Sequence, residues 1–295
     1  MLKRTLVFES PMILSLKNLQ LVVAYKDFPD EKLTVPIEDI GVVLLENQQT
    51  SITLPLLNAL AENEVQVVIC NSKGMPNAMI QSMNSNNLQG ETLRYQIACG
   101  EVFKKQLWKQ VVEAKIKNQA SLLNSIGEEG NILKPFYTNV KSGDVDNREG
   151  IAARIYFQHL FGDGFIRDRD EQGINALLNY GYSILRAATC RAIVSSGLLP
   201  AIGIFHHNRS NAYPLADDLM EPFRPFVDEV VYDLAMRGKT DLTKEVKGEL
   251  ISVLYADTMY EKVKRPLSVG LSMTTASMVK CLSKEQNTLS MPALP

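Results

Sequence analysis

Two of the three histidines in this 295-residue chain are adjacent, His206 and His207, in a loop-like run that also holds Asn208, Ser210, Asn211 and Pro214. Three acidic residues follow, Asp217, Asp218 and Glu221, the last of them 15 positions after His206. From Leu215 on, the spacing predicts a helix in which Asp218 and Glu221 share one face. A loop imidazole and a helix carboxylate placed this way can converge on one point. Imidazole with carboxylate is a ligand set that suits Mn²⁺ or Mg²⁺ with open water positions, and a third ligand has to come from elsewhere. The plain alternative is a charged surface loop. Two features weigh against it. Pro222 and Pro225 bracket Phe223 and Arg224 directly after Glu221, an unusual way to continue a helix. Asp217 and Asp218 add like charge close by, which is costly without a compensating cation.

Three further groups carry potential chemistry, each with a structural alternative. Asn147, Arg148, Glu149 and Gly150 precede IAARIYF. They read as a helix start, with Asn147 as N-cap and an acidic residue in the first turn. Asn175 and Asn179 lie one turn apart on a helix face and could form a polar stripe between helices. Arg94, Gln96, Lys104, Lys105, Trp108, Lys109, Lys115, Lys117, Asn118 and Gln119 fall on one long helical run. That face is either solvated or faces a DNA backbone. Arg148, Arg154, Arg167, Arg169, Arg186 and Arg224 are further phosphate candidates.

The elements that must position these residues follow from patterning. The length allows one large or two medium domains, and an apolar content of 45% supplies a sizeable core. The net charge is −2, so a nucleic-acid partner would require the positive charge to be concentrated on one face. Four scattered cysteines with no C-x-x-C pair argue against a zinc cluster or a disulfide framework. No signal-peptide core and no membrane-length apolar run is present, so a cytoplasmic protein is expected. Residues 4–70 read mostly as β: two strands across 12–25 with a turn at Lys17 and Asn18, then strands at 33–36, 40–45 and 65–70, with a helix over 53–63. The period changes from 2 to 3.6 across residues 83–92, read as a linker. After Glu91 the chain reads as almost wholly helical, with a break near Gly100 and helices over 148–161, 175–196, 217–237, 243–254 and 275–282. Residues 286–295 read as a tail. The fold class predicted is a two-domain α+β protein, a β-rich domain over 1–82 followed by an all-α domain over 93–285.

Taken jointly and in order, the motifs resemble the CRISPR-associated adaptation integrase family, the larger of the two proteins that insert spacers into a CRISPR array, and most closely its type II branch. The segments that carry the resemblance are Glu149-Gly150 with Ala152, Ala153, Arg154, Tyr156 and Phe157; Asn175 to Tyr182 as N-A-L-L-N-Y-G-Y; and His206 followed by D-L-M-E-P-F-R-P from Asp218 to Pro225, then Asp228. A looser likeness covers the basic helix, ending in K-x-x-N-Q-A at Lys115 to Ala120. The resemblance implies a Mg²⁺ or Mn²⁺ site on Glu149, His206 and Glu221, with His206 favoured over His207 by its spacing from Glu221. It implies a supporting role for Asn175 and Asn179, and DNA contacts from residues such as Lys104, Lys105, Lys109, Arg148, Arg154 and Arg224. It implies a homodimer through the N-terminal domains and a heterohexamer with a small adaptation partner protein, with other type II CRISPR proteins as further partners. The implied reaction is attack of a prespacer 3′-hydroxyl on double-stranded DNA at the repeat boundary. Two alternatives stand beside it: a general divalent-metal DNA nuclease that uses water, and a non-catalytic DNA-binding scaffold.

Overall fold

The computed structural model describes every residue except 1, 2, 73, 81, 83–85 and 169–171. The chain divides into two units, residues 1–87 and 88–295. In the first unit the strands are β1 (Arg4–Phe8), β2 (Met12–Lys17), β3 (Gln20–Tyr25), β4 (Lys32–Pro36), β5 (Ile40–Leu45), β6 (Ser51–Ile52), β7 (Gln66–Cys70) and β8 (Pro76–Ile80), with one helix, α1 (Leu54–Glu62). They build two four-stranded sheets, in the orders β1-β5-β7-β8 and β4-β3-β2-β6. The expected hairpin is β2–β3, antiparallel from Met12 opposite Tyr25 to Lys17 opposite Gln20. Its two turn residues are Asn18 and Leu19, both at positive φ, the conformation that matches strand twist in a two-residue turn. β5 is buried along all six residues, because parallel neighbours flank it on both edges. Leu14, Leu21, Ile40, Val43, Leu56, Leu60 and Val67 form the centre of this unit's core. β8 lies beyond the strands that the patterning predicts. It is an edge strand that opens on a proline, which leaves little pattern to read.

The second unit contains α2 (Gln89–Ala98), α3 (Glu101–Ser125), α4 (Lys134–Tyr137), α5 (Arg148–Phe161), α6 (Ile174–Ser195), α7 (Pro214–Met220), α8 (Arg224–Met236), α9 (Lys244–Ser252), strands β9 (Asp257–Tyr260) and β10 (Val263–Pro266), and α10 (Leu267–Leu282). The break between α2 and α3 falls at Gly100, the N-cap position of α3. α3 is the central helix: Leu107, Trp108, Val111, Val112, Ile116, Leu122 and Leu123 form a buried stripe along it. α6 and α8 pack so closely that a Cβ on Gly181 would sit 2.4 Å from Val227.

Three expectations are revised here. A single helix over 217–237 gives way to α7 and α8 separated by the 3-10 turn Glu221–Phe223. Pro222 and Pro225 have no N–H to continue the helical ladder, so the chain restarts one turn later. The almost wholly helical stretch expected after Glu91 is interrupted by the β9–β10 hairpin, and α10 begins at Leu267, ahead of the expected Thr275. Residues 286–295 pack onto the unit: Leu289 and Leu294 are buried, and Ala293 pairs with Met259. Asn118 on α3 ties them down, donating to the carbonyls of Pro222 (2.7 Å) and Pro292 (3.1 Å) and accepting from the Leu294 amide (3.1 Å). Among the described residues no helix is long and apolar enough to cross a membrane.

Candidate functional site

The histidine loop is held from two sides. Upstream, the buried Gln96 of α2 donates to the carbonyls of Leu199 (3.0 Å) and Ile202 (2.8 Å) and accepts from the Leu199 amide (2.9 Å). Downstream, Asp218 of α7, with no exposed surface, collects four donors. Its Oδ2 accepts from the amides of Ile204 (2.7 Å) and Phe205 (3.1 Å), and its Oδ1 from the amide of His206 (3.1 Å) and from its ring Nδ1 (2.6 Å). The buried carboxylate is thereby satisfied. Gly203 permits the approach, since a Cβ there would lie 2.8 Å from Asp218 Oδ2. The Asp218 hydrogen bond raises the pKa of His206 over the opposing effect of burial. With Nδ1–H committed to Asp218, the neutral ring presents Nε2 as its acceptor. Asp217 closes the far end of the loop, accepting from Arg186 Nε (2.6 Å) and Asn211 Nδ2 (2.7 Å). His207 is exposed.

Glu149 and Glu221 arrive from different elements, the first turn of α5 and the turn between α7 and α8. Asn147 occupies the N-cap position of α5, but in a left-handed conformation and without a side-chain cap. The cap is supplied by Asp144, which accepts from the amides of Arg148 (2.9 Å) and Glu149 (3.0 Å). Lys115 of α3, only 6% exposed, forms ion pairs with Glu149 and with Glu221, the latter at 2.5 Å. Arg224 Nε stands 2.9 Å from Glu221 Oε1. Burial raises the pKa of Glu221, but Arg224 and Lys115 prevail and hold it well below the usual carboxylate range. Burial likewise pushes Lys115 down, and the two glutamates more than reverse it.

These residues face one open cavity of about 550 Å³, lined among others by Lys115, Glu149, Arg154, His206, Glu221, Arg224 and Asp228. Asp228 accepts from the Tyr156 hydroxyl (2.9 Å) and from that of Tyr182. Burial outweighs both hydroxyls and raises its pKa to about 6. The Arg224 guanidinium lies over the Tyr182 ring, 4.5 Å from its centroid, a cation–π contact.

The other sequence candidates divide. Arg154 is exposed at the cavity. Arg167 donates to Asn175 (2.9 Å) and Asn179 (2.6 Å), and Asn175 also donates to the Ile166 carbonyl (2.9 Å). The asparagine stripe thus holds the loop ahead of α6. Lys104 and Lys109 pair with Glu101 (3.0 Å) and Glu113 (3.7 Å) on their own helix. Lys105 is exposed, and Arg148 donates to the Pro135 carbonyl (3.0 Å). None of Lys104, Lys105, Lys109 and Arg148 lines the cavity. Arg169 lies outside the described residues. Lys115 is the residue that sequence reasoning misplaced. Its positions relative to Val111, Val112 and Leu122 put it on the apolar stripe of α3, and that register was the available signal. The roles of Asp144 and of the tyrosine pair left no comparable trace.

Two carboxylates and an imidazole nitrogen are donor chemistry for a divalent cation such as Mg²⁺ or Mn²⁺. As the side chains are placed, no three His, Cys, Asp or Glu residues among those described are gathered closely enough to hold an ion. The ammonium of Lys115 pairs with both glutamates. The donor types fit a divalent cation.

A family model described as "CRISPR associated protein Cas1" matches residues 5–263. The chain is 39% identical over 263 residues to the CRISPR-associated endonuclease Cas1 of Neisseria meningitidis serogroup C, covering 88% of this chain and 85% of that protein. Among solved structures, a casposase bound to integration product superposes with a TM-score of 0.79 at 21% identity, over 98% of this chain and 93% of that one. A Cas6-RT-Cas1–Cas2 complex gives 0.75 at 22% identity over 97% of this chain and 35% of that one. At these identities the structural matches establish the fold.

Proposed function

The chain belongs to the Cas1 family of CRISPR-associated proteins, and from that premise we propose that it is the adaptation integrase, joining the 3′-hydroxyl ends of a prespacer to the repeat of a CRISPR array. The observation that carries this reading is that Glu149, His206 and Glu221 all line one open cavity whose other charged walls include Arg154 and Arg224. When bound there, a divalent cation would supply charge to polarise the scissile phosphate and stabilise the leaving 3′-oxygen. Glu149 and Glu221 would hold it with Nε2 of His206. Asp218 keeps that ring in the tautomer that leaves Nε2 free. Arg154 and Arg224 add positive charge for phosphate oxygens. The attacking hydroxyl belongs to DNA, so no protein nucleophile is needed. A general nuclease would use the same centre with water, and the products separate the two: strand-joined DNA for an integrase, fragments for a nuclease.

Joining both ends of a spacer requires two such centres on one DNA, so the working unit contains at least two copies. Strand β5 is buried within its own unit. The exposed apolar side chains of this unit include Leu19, Phe28, Leu33 and Leu54, at 77%, 65%, 64% and 78% exposure, and a two-fold contact would cover some of them. The assembly we propose is a homodimer through the N-terminal unit that joins a small adaptation partner in a heterohexamer on double-stranded DNA, with other type II proteins selecting the prespacer. Light scattering of the full chain at micromolar concentration tests the dimer: a monomer would leave spacing to the partner alone.

A further inference from the structure

We propose that Lys115 is the resident counter-ion of the Glu149–Glu221 pair and competes with the divalent cation for it. The proposal rests on the metal reading above and concerns how the site is kept ready. A lysine with 6% exposure is costly to bury unless it is paired, and Lys115 pairs with both glutamates. Those glutamates come from distant parts of the chain. Without a cation between them their charges would push α5 and the turn after α7 apart.

The balance of charge decides what happens when a divalent ion arrives. Two carboxylates with one ammonium and one guanidinium form a neutral set, with Lys115 and Glu221 buried and Glu149 and Arg224 half-buried. Adding a doubly charged ion while both side-chain cations stay in place would leave an uncompensated positive centre. One of the two must give way. The Arg224 guanidinium lies over the Tyr182 ring and pairs with Glu221, two contacts that hold it in place. Lysine carries a single point charge on a flexible four-carbon stem, and Lys115 borders the open cavity. The ammonium therefore swings off the carboxylates as the ion binds, and a DNA phosphate in the cavity would receive it. DNA and cation then favour each other through Lys115, and the coupling is reciprocal.

The test is calorimetric titration of the full-length chain with Mn²⁺ in the absence of DNA. Lys115→Met should bind Mn²⁺ at least tenfold tighter than the wild type and melt at a lower temperature in EDTA. A short duplex should tighten Mn²⁺ binding by the wild type but not by the variant. Affinity for Mn²⁺ that is unchanged or weaker in Lys115→Met overturns the proposal. If neither protein binds Mn²⁺, the metal reading fails and takes the proposal with it, a different result from a wild type that binds and a variant that binds no better. Should Lys115→Met not fold, Lys115→Arg approaches from the other side. It keeps the charge but fixes it in a planar fork, and should bind Mn²⁺ at least tenfold more weakly than the wild type. Equal or tighter binding by Lys115→Arg overturns the proposal.

Discussion

Oδ1 of Asp218 lies 2.6 Å from Nδ1 of His206, and the same carboxylate collects the backbone amides of residues 204 to 206. One buried side chain thus sets both the path of the loop and the orientation of the ring. Asn at this position would turn an amide N–H toward donors and leave some of them unsatisfied. Asp218→Asn is expected to cost about 2–4 kcal/mol of stability and to weaken Mn²⁺ binding by roughly 10–100-fold. Chemical denaturation and metal titration check both numbers, and a variant as stable as the wild type would refute the role.

The same pair gives a pH dependence of opposite sign for folding and for metal binding. The pKa of His206 is raised above its ordinary 6.5. The pair's contribution to stability is therefore fully present below that value and is lost as pH rises through the raised pKa. A metal needs the neutral ring, so affinity should increase over the same interval. In Asp218→Asn the affinity profile should move to lower pH. Titrating Mn²⁺ binding from pH 6 upward measures it, and an unmoved midpoint would contradict the assignment.

Glu149→Ala, His206→Ala and Glu221→Ala should each lower integration by about a hundredfold or more, which corresponds to several kcal/mol of lost charge stabilisation. His207→Ala should stay close to wild type, because His207 is exposed while His206 is held by Asp218. Circular dichroism should show each variant folded. An inactive His207→Ala beside an active His206→Ala would reverse the choice of ligand.

Much of this centre was legible in the chain, and the parts that were not share a cause. The β2–β3 hairpin, strands β5 and β7, the break at Gly100 and the whole of α5 follow from period and punctuation, which are local. The likeness of D-L-M-E-P-F-R-P to a known motif located Glu221, while Pro222 and Pro225 signalled a departure from the helix without specifying the 3-10 turn. Contacts across long sequence separations were not legible. Lys115 meets Glu149 and Glu221 only once α3 is buried. Asp228 finds its tyrosines on α5 and α6. The β9–β10 hairpin is four residues a side, too short to announce a period.

Asp228 supplies a second pH test. Burial raises its pKa from an ordinary 3.8 to about 6, a difference worth on the order of 3 kcal/mol. A raised carboxyl pKa stabilises the fold below the unfolded value and loses that contribution as pH rises through about 6. Asp228→Asn cannot ionise. Measured against it, the wild type should lose relative stability between pH 4 and pH 7. Parallel melting curves across that range would contradict the raised pKa.

Charge reversal separates the two basic regions. Arg154→Glu removes a positive charge at the cavity, and the slope of log affinity against log salt should fall by about 0.9 for each DNA phosphate no longer neutralised. Reversal of Lys104, Lys105 and Lys109 should weaken binding to all sequences alike if that face of α3 meets a backbone. An unchanged slope would assign those lysines to solvent and to their intrahelical partners.

The most direct measurement is an integration assay with supercoiled plasmid carrying a CRISPR array, the small adaptation partner, and a prespacer labelled on the strands that end in free 3′-hydroxyls. With Mn²⁺ or Mg²⁺ the label should become covalently joined to the plasmid at the repeat boundary, and both EDTA and Glu221→Ala should abolish the joined product. A prespacer or plasmid cut to fragments with no joined product, or joining that persists in EDTA and in Glu221→Ala, would contradict the account.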